Sequence, residues 1–277
     1  MNPLPENPEV VTPAQAELMS AIPATSQAAT VSAPSPDPAW DGWDILRILL
    51  MLGITFFVTV LALFGLAPGT TLQERWNYLG ARPELSVIGQ MAAELVLLGY
   101  MYILVTKERR QPRFWEALRW NWPGRIWGYV SVGILMQGVF LVVGRFLPFP
   151  KKTPFEALLQ RPSTLLLIMV FSVTLGPLME ELFYRGFLYP LLRRHFGAAV
   201  AIIATALPFG LMHSVQYGNS WASVLLICVV GIVLATVREW KNSLGAAFLV
   251  HAAYNGTIVM IVFIATDGFR HLEKLNQ

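Results

Sequence analysis

Seven long apolar segments constrain what this chain can fold into more than any other feature. A helix that crosses a membrane needs about 20 apolar residues, because the hydrocarbon core is ~30 Å thick and a helical residue rises about 1.5 Å. The sequence predicts an all-α, polytopic transmembrane helix bundle with about seven spans, six to eight being possible. One of the two shortest segments, the fifth or the sixth, is expected to be tilted, broken or partly interfacial. The segments lie at 45–67, 86–106, 126–147, 163–184, 197–213, 221–238 and 244–265.

The composition agrees with lipid as the main solvent of the chain. Hydrophobic residues make up 55% of its 277 residues and charged residues only 13%, whereas a soluble domain has roughly 25% charged residues. The formal net charge of +3 is too small to indicate a nucleic-acid partner. The single cysteine, Cys228, excludes a disulfide framework and a cysteine-based zinc site.

The composition also divides the chain into four parts. Residues 1–42 are rich in Pro, Ala, Ser and Thr and contain no Lys or Arg, which predicts a disordered tail. They lack a basic stretch followed by an apolar one, so we expect no cleaved signal peptide. N-terminal transmembrane helices and a basic interfacial loop are predicted for 43–159. Residues 160–265 form the region that carries the buried polar side chains described below, and 266–277 are a C-terminal tail.

The distribution of positive charge predicts an orientation. Twelve of the 20 lysines and arginines flank the predicted spans on the side of the N-terminal tail, including the cluster in 107–125. Because cytoplasmic loops carry an excess of Lys and Arg, we expect this tail in the cytoplasm, beneath what is most simply a bacterial inner (plasma) membrane. Tryptophans among the arginines of 111–125 are typical of an interfacial helix, and the amphipathic segment 185–195 is a second candidate.

Several polar side chains stand inside these apolar segments. An ionisable residue at the centre of a membrane helix costs about 2.5–3.5 kcal/mol on insertion scales, so such residues usually line a site or pair with each other. They are Glu94, Glu180, Glu181, His213 and His251, with Asn255 as a neutral companion.

The two adjacent glutamates predict two different roles. Gly176-Pro177 precedes them and is expected to restart or kink the helix. Glu181 and Arg185 are four residues apart, which favours an ion pair on one helix face. Glu180 lies about 100° away around the helix axis and is therefore free to face a polar cavity.

Two further pairs are one helical turn apart. Phe209 precedes His213 and can pack its imidazole, and His251 precedes Asn255 among small residues that let helices approach closely. Each pair taken alone also fits an ordinary interfacial histidine or interhelical hydrogen bonds. Glu94 has no partner at helical spacing, and we expect it to be a structural residue that pairs elsewhere, with Arg145 for example.

The chemistry of this set is that of a hydrolase, in one of two forms. In the first, Glu180 takes a proton from water, His213 orients that water or protonates the leaving group, and His251 with Asn255 stabilises an oxyanion. In the second, Glu180, His213 and His251 hold one catalytic Zn²⁺. The residues leave both forms open. The signatures H-E-x-x-H and G-x-S-x-G and a pair of intramembrane aspartates are absent.

The arrangement resembles the CAAX prenyl protease and bacteriocin-processing (CPBP, or Abi) family of intramembrane proteases. The resemblance rests on three motifs in order, Glu180-Glu181-x-x-x-Arg185, Phe209-x-x-x-His213 and His251-x-x-x-Asn255. It covers roughly residues 160–260 and none of 1–125.

The resemblance implies an intramembrane endopeptidase. Glu180 and His213 would activate water, His251 and Asn255 would stabilise the oxyanion, and Glu181, Arg185 and Phe209 would support them. The substrate would be a membrane-associated protein or peptide, CAAX-like or a leader peptide. The family has been described both as metalloproteases and as metal-independent glutamate proteases; we favour the second description, and the cofactor expected is none or one zinc ion.

The alternative from a different class is a membrane protein without enzymatic activity. An immunity factor, a scaffold or a proton-coupled carrier can use buried carboxylates as well. Carriers often consist of two repeated halves with broken helices, and this sequence contains no internal repeat.

Overall fold

The computed structural model describes residues 38–150, 153–159 and 161–276, and in these residues the chain is helical without any β-strand. Most of the predicted tail therefore lies outside the described residues. The α-helices are α1 Gly42–Leu66, α2 Leu72–Gly80, α3 Pro83–Ile103, α4 Phe114–Ala117, α5 Ile126–Gly144, α6 Pro154–Leu159, α7 Pro162–Val173, α8 Leu175–Glu181, α9 Tyr189–Met212, α10 Trp221–Lys241 and α11 Leu244–Ala265. A 3₁₀-helix, Leu272–Asn276, follows them.

Six helical stretches of the described residues are long and apolar enough to cross a membrane, and the protein is a multi-pass membrane protein. The predicted fourth and fifth spans both lie in one of these stretches, Pro162–Met212, which accounts for six rather than seven. This stretch is not straight. Its backbone leaves helical geometry at Thr174 and at Gly197, where φ is +80°.

The break at Thr174 confirms the helix restart predicted before the two glutamates. Thr174 has φ −119° and ψ −91°, and α8 begins at the next residue. Pro177 is tolerated in the first turn of α8 because an N–H at that position has no partner within the helix. After Glu181 the chain continues as widened π-helical turns, Leu182–Leu188, before α9. Such π-helical turns are rare and often occur at functional sites.

The largest apolar core surrounds these π-helical turns. Leu182 and Phe187 are fully buried against residues of α1, α3 and the following turn, such as Ile48 and Met101. Trp40 also belongs to this core, since its ring packs on Phe187 at 4.9 Å and its indole N–H donates to the Phe187 carbonyl oxygen at 2.9 Å. Trp40 lies in the polar segment that the sequence assigns to the tail, and its burial could not be expected from that composition.

The two predicted interfacial segments differ from simple surface helices. Five of the seven residues from Arg185 to Leu191 are buried, and only residues 193–195 are exposed. In 111–125 only Phe114–Ala117 is helical. The rest is irregular because Arg119 has a positive φ of 59° and because its backbone binds the start of α11, where the Arg119 carbonyl accepts from the Leu244 N–H at 2.9 Å.

Helix α11, which carries His251, is positioned by its close contact with α5. A Cβ atom on Gly133 would lie 2.8 Å from Ala253 Cβ and 2.8 Å from the backbone nitrogen of Tyr254. Glycine at this position therefore lets two membrane helices come into backbone contact, as small residues do at helix interfaces in lipid. Gly138, on the same helix, has no atom within 4 Å of an added Cβ.

These two glycines give a matched test of the packing. We expect Gly133→Ala to destabilise the protein by about 1–3 kcal/mol, because the extra methyl group overpacks the interface. Gly138→Ala should be neutral or stabilising by up to about 1 kcal/mol, because alanine favours the helix. Thermal unfolding of the two purified variants in detergent, followed by tryptophan fluorescence, measures the difference. Equal unfolding temperatures would contradict the close α5–α11 contact.

Candidate active site

Three ionisable side chains from three helical elements converge at the end of α8. Glu180 lies in the last turn of α8, His213 caps the C-terminus of α9, and His251 lies in the middle of α11. The Nε2 atom of His213 is 3.8 Å from Glu180 Oε1, and the Nε2 atom of His251 is 3.7 Å from Glu180 Oε2. Each histidine therefore faces a different oxygen of one carboxylate, at a distance slightly too long for a direct hydrogen bond.

The other nitrogen of each ring has an acceptor as its partner, and this sets where the ring protons are. His213 Nδ1 donates to the Phe209 carbonyl oxygen at 2.8 Å, and His251 Nδ1 donates to Glu181 Oε1 at 2.9 Å. A carbonyl and an ionised carboxylate only accept, so both Nδ1 atoms carry a proton. When the rings are neutral, each Nε2 presents a lone pair toward Glu180.

Glu181 and Arg185 form the ion pair that their spacing predicted. Arg185 Nη1 lies 2.9 Å from Glu181 Oε1, and both side chains are fully buried. Arg185 Nη2 also donates to the Gly231 carbonyl oxygen of α10 at 3.0 Å, and the Arg185 carbonyl accepts from Arg238 Nε at 3.2 Å. Glu181 thus joins Arg185 and His251, and the pair ties α8, α10 and α11 together.

Phe209 is the aromatic centre of the site. Its ring lies 5.2 Å from the His213 ring and 5.7 Å from the His251 ring, and the Arg185 guanidinium stacks over it at 4.3 Å. Aromatic and cation–π contacts at these distances are favourable. The sequence assigned Phe209 to His213 alone, whereas in the structure it packs against both histidines.

Asn255 lies one turn after His251 on α11, and its amide binds α7. Its Nδ2 donates to the Ser172 carbonyl oxygen at 2.7 Å, just before the break at Thr174. An amide nitrogen has two hydrogens, so the second N–H of Asn255 can still serve another acceptor.

Glu94 reaches the site from α3. Its Oε1 accepts from Gln90 Nε2 at 3.1 Å, and its Oε2 is buried without a hydrogen-bond partner among the described residues. Helix α3, which carries it, packs against α7 and against α8, the helix of Glu180. The suggested pair with Arg145 is not formed in the described residues, since the hydrogen bond of Glu94 is to Gln90.

The two adjacent glutamates differ in how far their side chains are exposed to solvent. The Glu180 side chain is 22% exposed, whereas Glu181 is completely enclosed and already neutralised by Arg185. Glu180 is thus the carboxylate that a small molecule can reach. One of its oxygens, Oε2, is buried without a hydrogen-bond partner, as is Oε2 of Glu94.

The ligand set suggested for zinc is Glu180, His213 and His251. Within the described residues, no three His, Cys, Asp or Glu side chains are placed to hold a metal ion together. The Glu180 carboxylate nevertheless lies next to both imidazoles, with its two oxygens 3.8 Å and 3.7 Å from the Nε2 atoms of His213 and His251.

Several members of this site could not be found from the sequence. The Gly231 and Ser172 carbonyl groups bind Arg185 and Asn255, but a backbone acceptor has no signature in a sequence. In the sequence Arg238 is one of the positive charges that flank a span. In the structure it is only 5% exposed, and its Nε donates a hydrogen bond to the Arg185 carbonyl oxygen. For Glu94 a signal exists, because a carboxylate inside an apolar segment is unusual, but no residue at helical spacing indicates its partner.

Comparison with known proteins identifies one family. Residues 162–257 match the family described as type II CAAX prenyl endopeptidase Rce1-like, in agreement with the resemblance carried by the three motifs. This range contains Glu180, His213, His251 and Asn255 and leaves Glu94 outside. No curated protein and no solved structure matches the chain.

The buried ion pair leads to a stability prediction. Arg185→Ala should lower the free energy of unfolding by about 3–5 kcal/mol, because it leaves Glu181 charged and uncompensated inside the bundle. Arg193, 54% exposed and paired with Glu239, is the matched control; Arg193→Ala should change stability by at most about 1 kcal/mol. Thermal unfolding in detergent measures both variants. An Arg185→Ala protein as stable as the Arg193→Ala control would contradict the bracing role.

Proposed function

We propose that this protein is an intramembrane endopeptidase in which Glu180 activates water, a proposal supported by the match of residues 162–257 to the type II CAAX prenyl endopeptidase Rce1-like family, a protease family. Its substrate is a membrane-associated protein or peptide, either CAAX-like or a leader peptide. Its partners are that substrate and the lipid bilayer, without a nucleic acid. The membrane is the bacterial inner membrane, with the N-terminal tail in the cytoplasm.

One observation carries the proposal. The two imidazole Nε2 atoms lie 3.7–3.8 Å from the two oxygens of the most exposed carboxylate in the cluster. At this separation the carboxylate and the imidazoles make no direct hydrogen bond, and one water molecule can contact both. Such a water can donate one hydrogen to Glu180 and the other to a histidine, which leaves an oxygen lone pair for attack on a carbonyl carbon.

The reaction then follows from the arrangement of these groups. Glu180 takes a proton from the water while its oxygen bonds to the peptide carbonyl carbon, and the carbonyl oxygen becomes an oxyanion. Asn255 has a free N–H for that oxyanion, and His251 donates from Nε2 when it is protonated. The C–N bond breaks as the leaving amine receives the proton that Glu180 took from the water, either directly or through His213 Nε2.

Glu180→Gln should reduce peptide hydrolysis at least about 100-fold, because the amide cannot accept the proton of the attacking water. The purified variant should keep the thermal stability and the elution volume of the wild type, since glutamine has the same shape. Cleavage is measured with prenylated CAAX peptides and with leader peptides reconstituted in lipid nanodiscs.

Glu116→Gln is the matched control, because Glu116 is 66% exposed and lies on α4, away from the cluster. It should retain wild-type cleavage. Full activity of Glu180→Gln would refute the catalytic assignment. A cellular phenotype that survives Glu180→Gln would instead favour the scaffold or immunity alternative, which needs no reactive carboxylate.

The same proposal assigns the reaction to a metal-independent mechanism. Glutamate and the two histidines supply a base, an acid and hydrogen-bond donors, so the step is complete without a Lewis acid. Prolonged treatment with a chelator, followed by its removal, should leave kcat/KM unchanged within about twofold, far below the loss that follows removal of a catalytic metal. Loss of activity that added Zn²⁺ alone restores would overturn this form of the mechanism and support zinc bound by Glu180, His213 and His251.

A further inference from the structure

The segment that joins the second span to the third carries positive charge that the protein itself does not neutralise. Residues 107–125 contain six lysines or arginines and only two glutamates. Both glutamates have partners, since Arg47 lies 2.6 Å from Glu108 and Arg113 lies 3.1 Å from Glu116. Three exposed cations form no ion pair or side-chain hydrogen bond with the described part of the chain, and these are Lys107, Arg110 and Arg125. They are available to an anion from outside the protein.

The three cations lie at one boundary of the membrane. Lys107 is in the last turn of the second span, and Arg125 directly precedes the third. A segment that joins two adjacent spans stays on one side of the bilayer, so Arg110 lies at the same boundary. Three tryptophans of this region are exposed as well, namely Trp115, Trp122 and Trp127. Tryptophan concentrates at the level of the lipid headgroups, so these cations lie at the depth of the phosphate groups.

The inner face of the same segment is bound to α11. The Ser243 hydroxyl, at the start of α11, donates to the Asn121 carbonyl oxygen at 2.6 Å. The Trp120 ring packs on Phe248 at a centroid distance of 5.3 Å. Phe248 precedes His251 by less than one helical turn. A ligand that binds the outer face of this segment therefore acts on the helix that carries one of the active-site histidines.

An anionic phospholipid has the chemistry that this surface recognises. Its phosphate group carries the negative charge for the cations, and its acyl chains contact the indole rings beside them. Attraction to an anionic membrane surface strengthens binding by about fivefold for each Lys or Arg next to a span. A zwitterionic headgroup has no net charge and lacks this attraction, and a soluble anion has no apolar part for the tryptophans.

We propose that residues 107–125 form a binding surface for the headgroups of anionic phospholipids, with Lys107, Arg110 and Arg125 as the cations. A bound lipid holds this segment on the start of α11 and so keeps His251 in place beside Glu180. The effect on catalysis rests on the proposed function of Glu180, whereas the binding of the lipid does not.

Native mass spectrometry tests the surface without any assay of activity. The full-length protein in detergent is titrated with phosphatidylglycerol or with phosphatidylcholine, and the lipids that bind one at a time give an apparent Kd. The wild type should bind phosphatidylglycerol more tightly. The double variant Lys107→Gln/Arg110→Gln should raise the Kd for phosphatidylglycerol at least about fivefold and leave that for phosphatidylcholine unchanged.

Arg270→Gln/Lys274→Gln is the matched control, because it removes one arginine and one lysine, both exposed, beyond the opposite end of α11. It should bind phosphatidylglycerol as the wild type does. Equal affinities of the two double variants, or equal affinities of the wild type for the two lipids, would overturn the proposal. Sodium phosphate that displaces the lipid better than sodium chloride of equal ionic strength would do so too, since it would identify a site for a free anion.

A second double variant separates charge from structure. Lys107→Arg/Arg110→Lys keeps both charges and should bind phosphatidylglycerol with the wild-type affinity. A loss of affinity as large as that of Lys107→Gln/Arg110→Gln would show that the shape of the segment, rather than its charge, determines binding, and would contradict the proposed surface.

The rate of peptide cleavage tests the consequence for catalysis. In nanodiscs that contain phosphatidylglycerol, Lys107→Gln/Arg110→Gln should have a kcat/KM at least about threefold below that of the control, because a displaced catalytic group slows the reaction. The difference should vanish in phosphatidylcholine alone. Both variants act on the same substrate in the same membrane, so the effect of the lipid on the substrate cancels. A difference that persists without anionic lipid would overturn the coupling to His251. If Glu180→Gln retains activity, the proposed function fails, but the measured Kd values still decide the lipid surface.

Discussion

The buried ion pair between Glu181 and Arg185 is the interaction on which the site depends. Both side chains are fully enclosed, where an isolated charge would be prohibitive, so each can be present only because of the other. The pair also has further partners, since Arg185 binds the Gly231 carbonyl of α10 and Glu181 binds His251 of α11. It therefore neutralises itself and fixes the positions of three helical elements at once. Glu180, the next residue along the chain, is left without a cation and faces the histidines.

The backbone around this pair is irregular on both sides. The break at Thr174 starts a new helix one and a half turns before the glutamates, and the π-helical turns begin directly after them. A regular helix through this region would send both glutamates and Arg185 along one continuous spiral. In the structure, Gly186 lies close enough to Leu244 and Leu118 that an added Cβ would be 3.3–3.4 Å from them. The widened turns thus lie under the start of α11, the helix that carries His251.

The local part of this architecture could be predicted from the sequence, and the long-range part could not. The restart before Glu180 and the Glu181–Arg185 pair follow from residue types within a few positions of each other. The contact between Glu181 and His251 joins residues 70 positions apart and depends on how helices pack, which one sequence does not specify. Trp40 shows the same limit. Its neighbours are polar and proline-rich, and only the core into which it inserts explains its burial.

The region that matches the protease family is not an independent unit in this fold. Its π-helical turns are covered by Ile48, Met101 and Trp40, all from the N-terminal part of the chain. Helix α3 also packs against α7 and α8, the helices on either side of the break at Thr174. The first two spans, α1 and α3, thus cover the turns that hold Arg185. The geometry of the matching region therefore depends on helices that lie outside it.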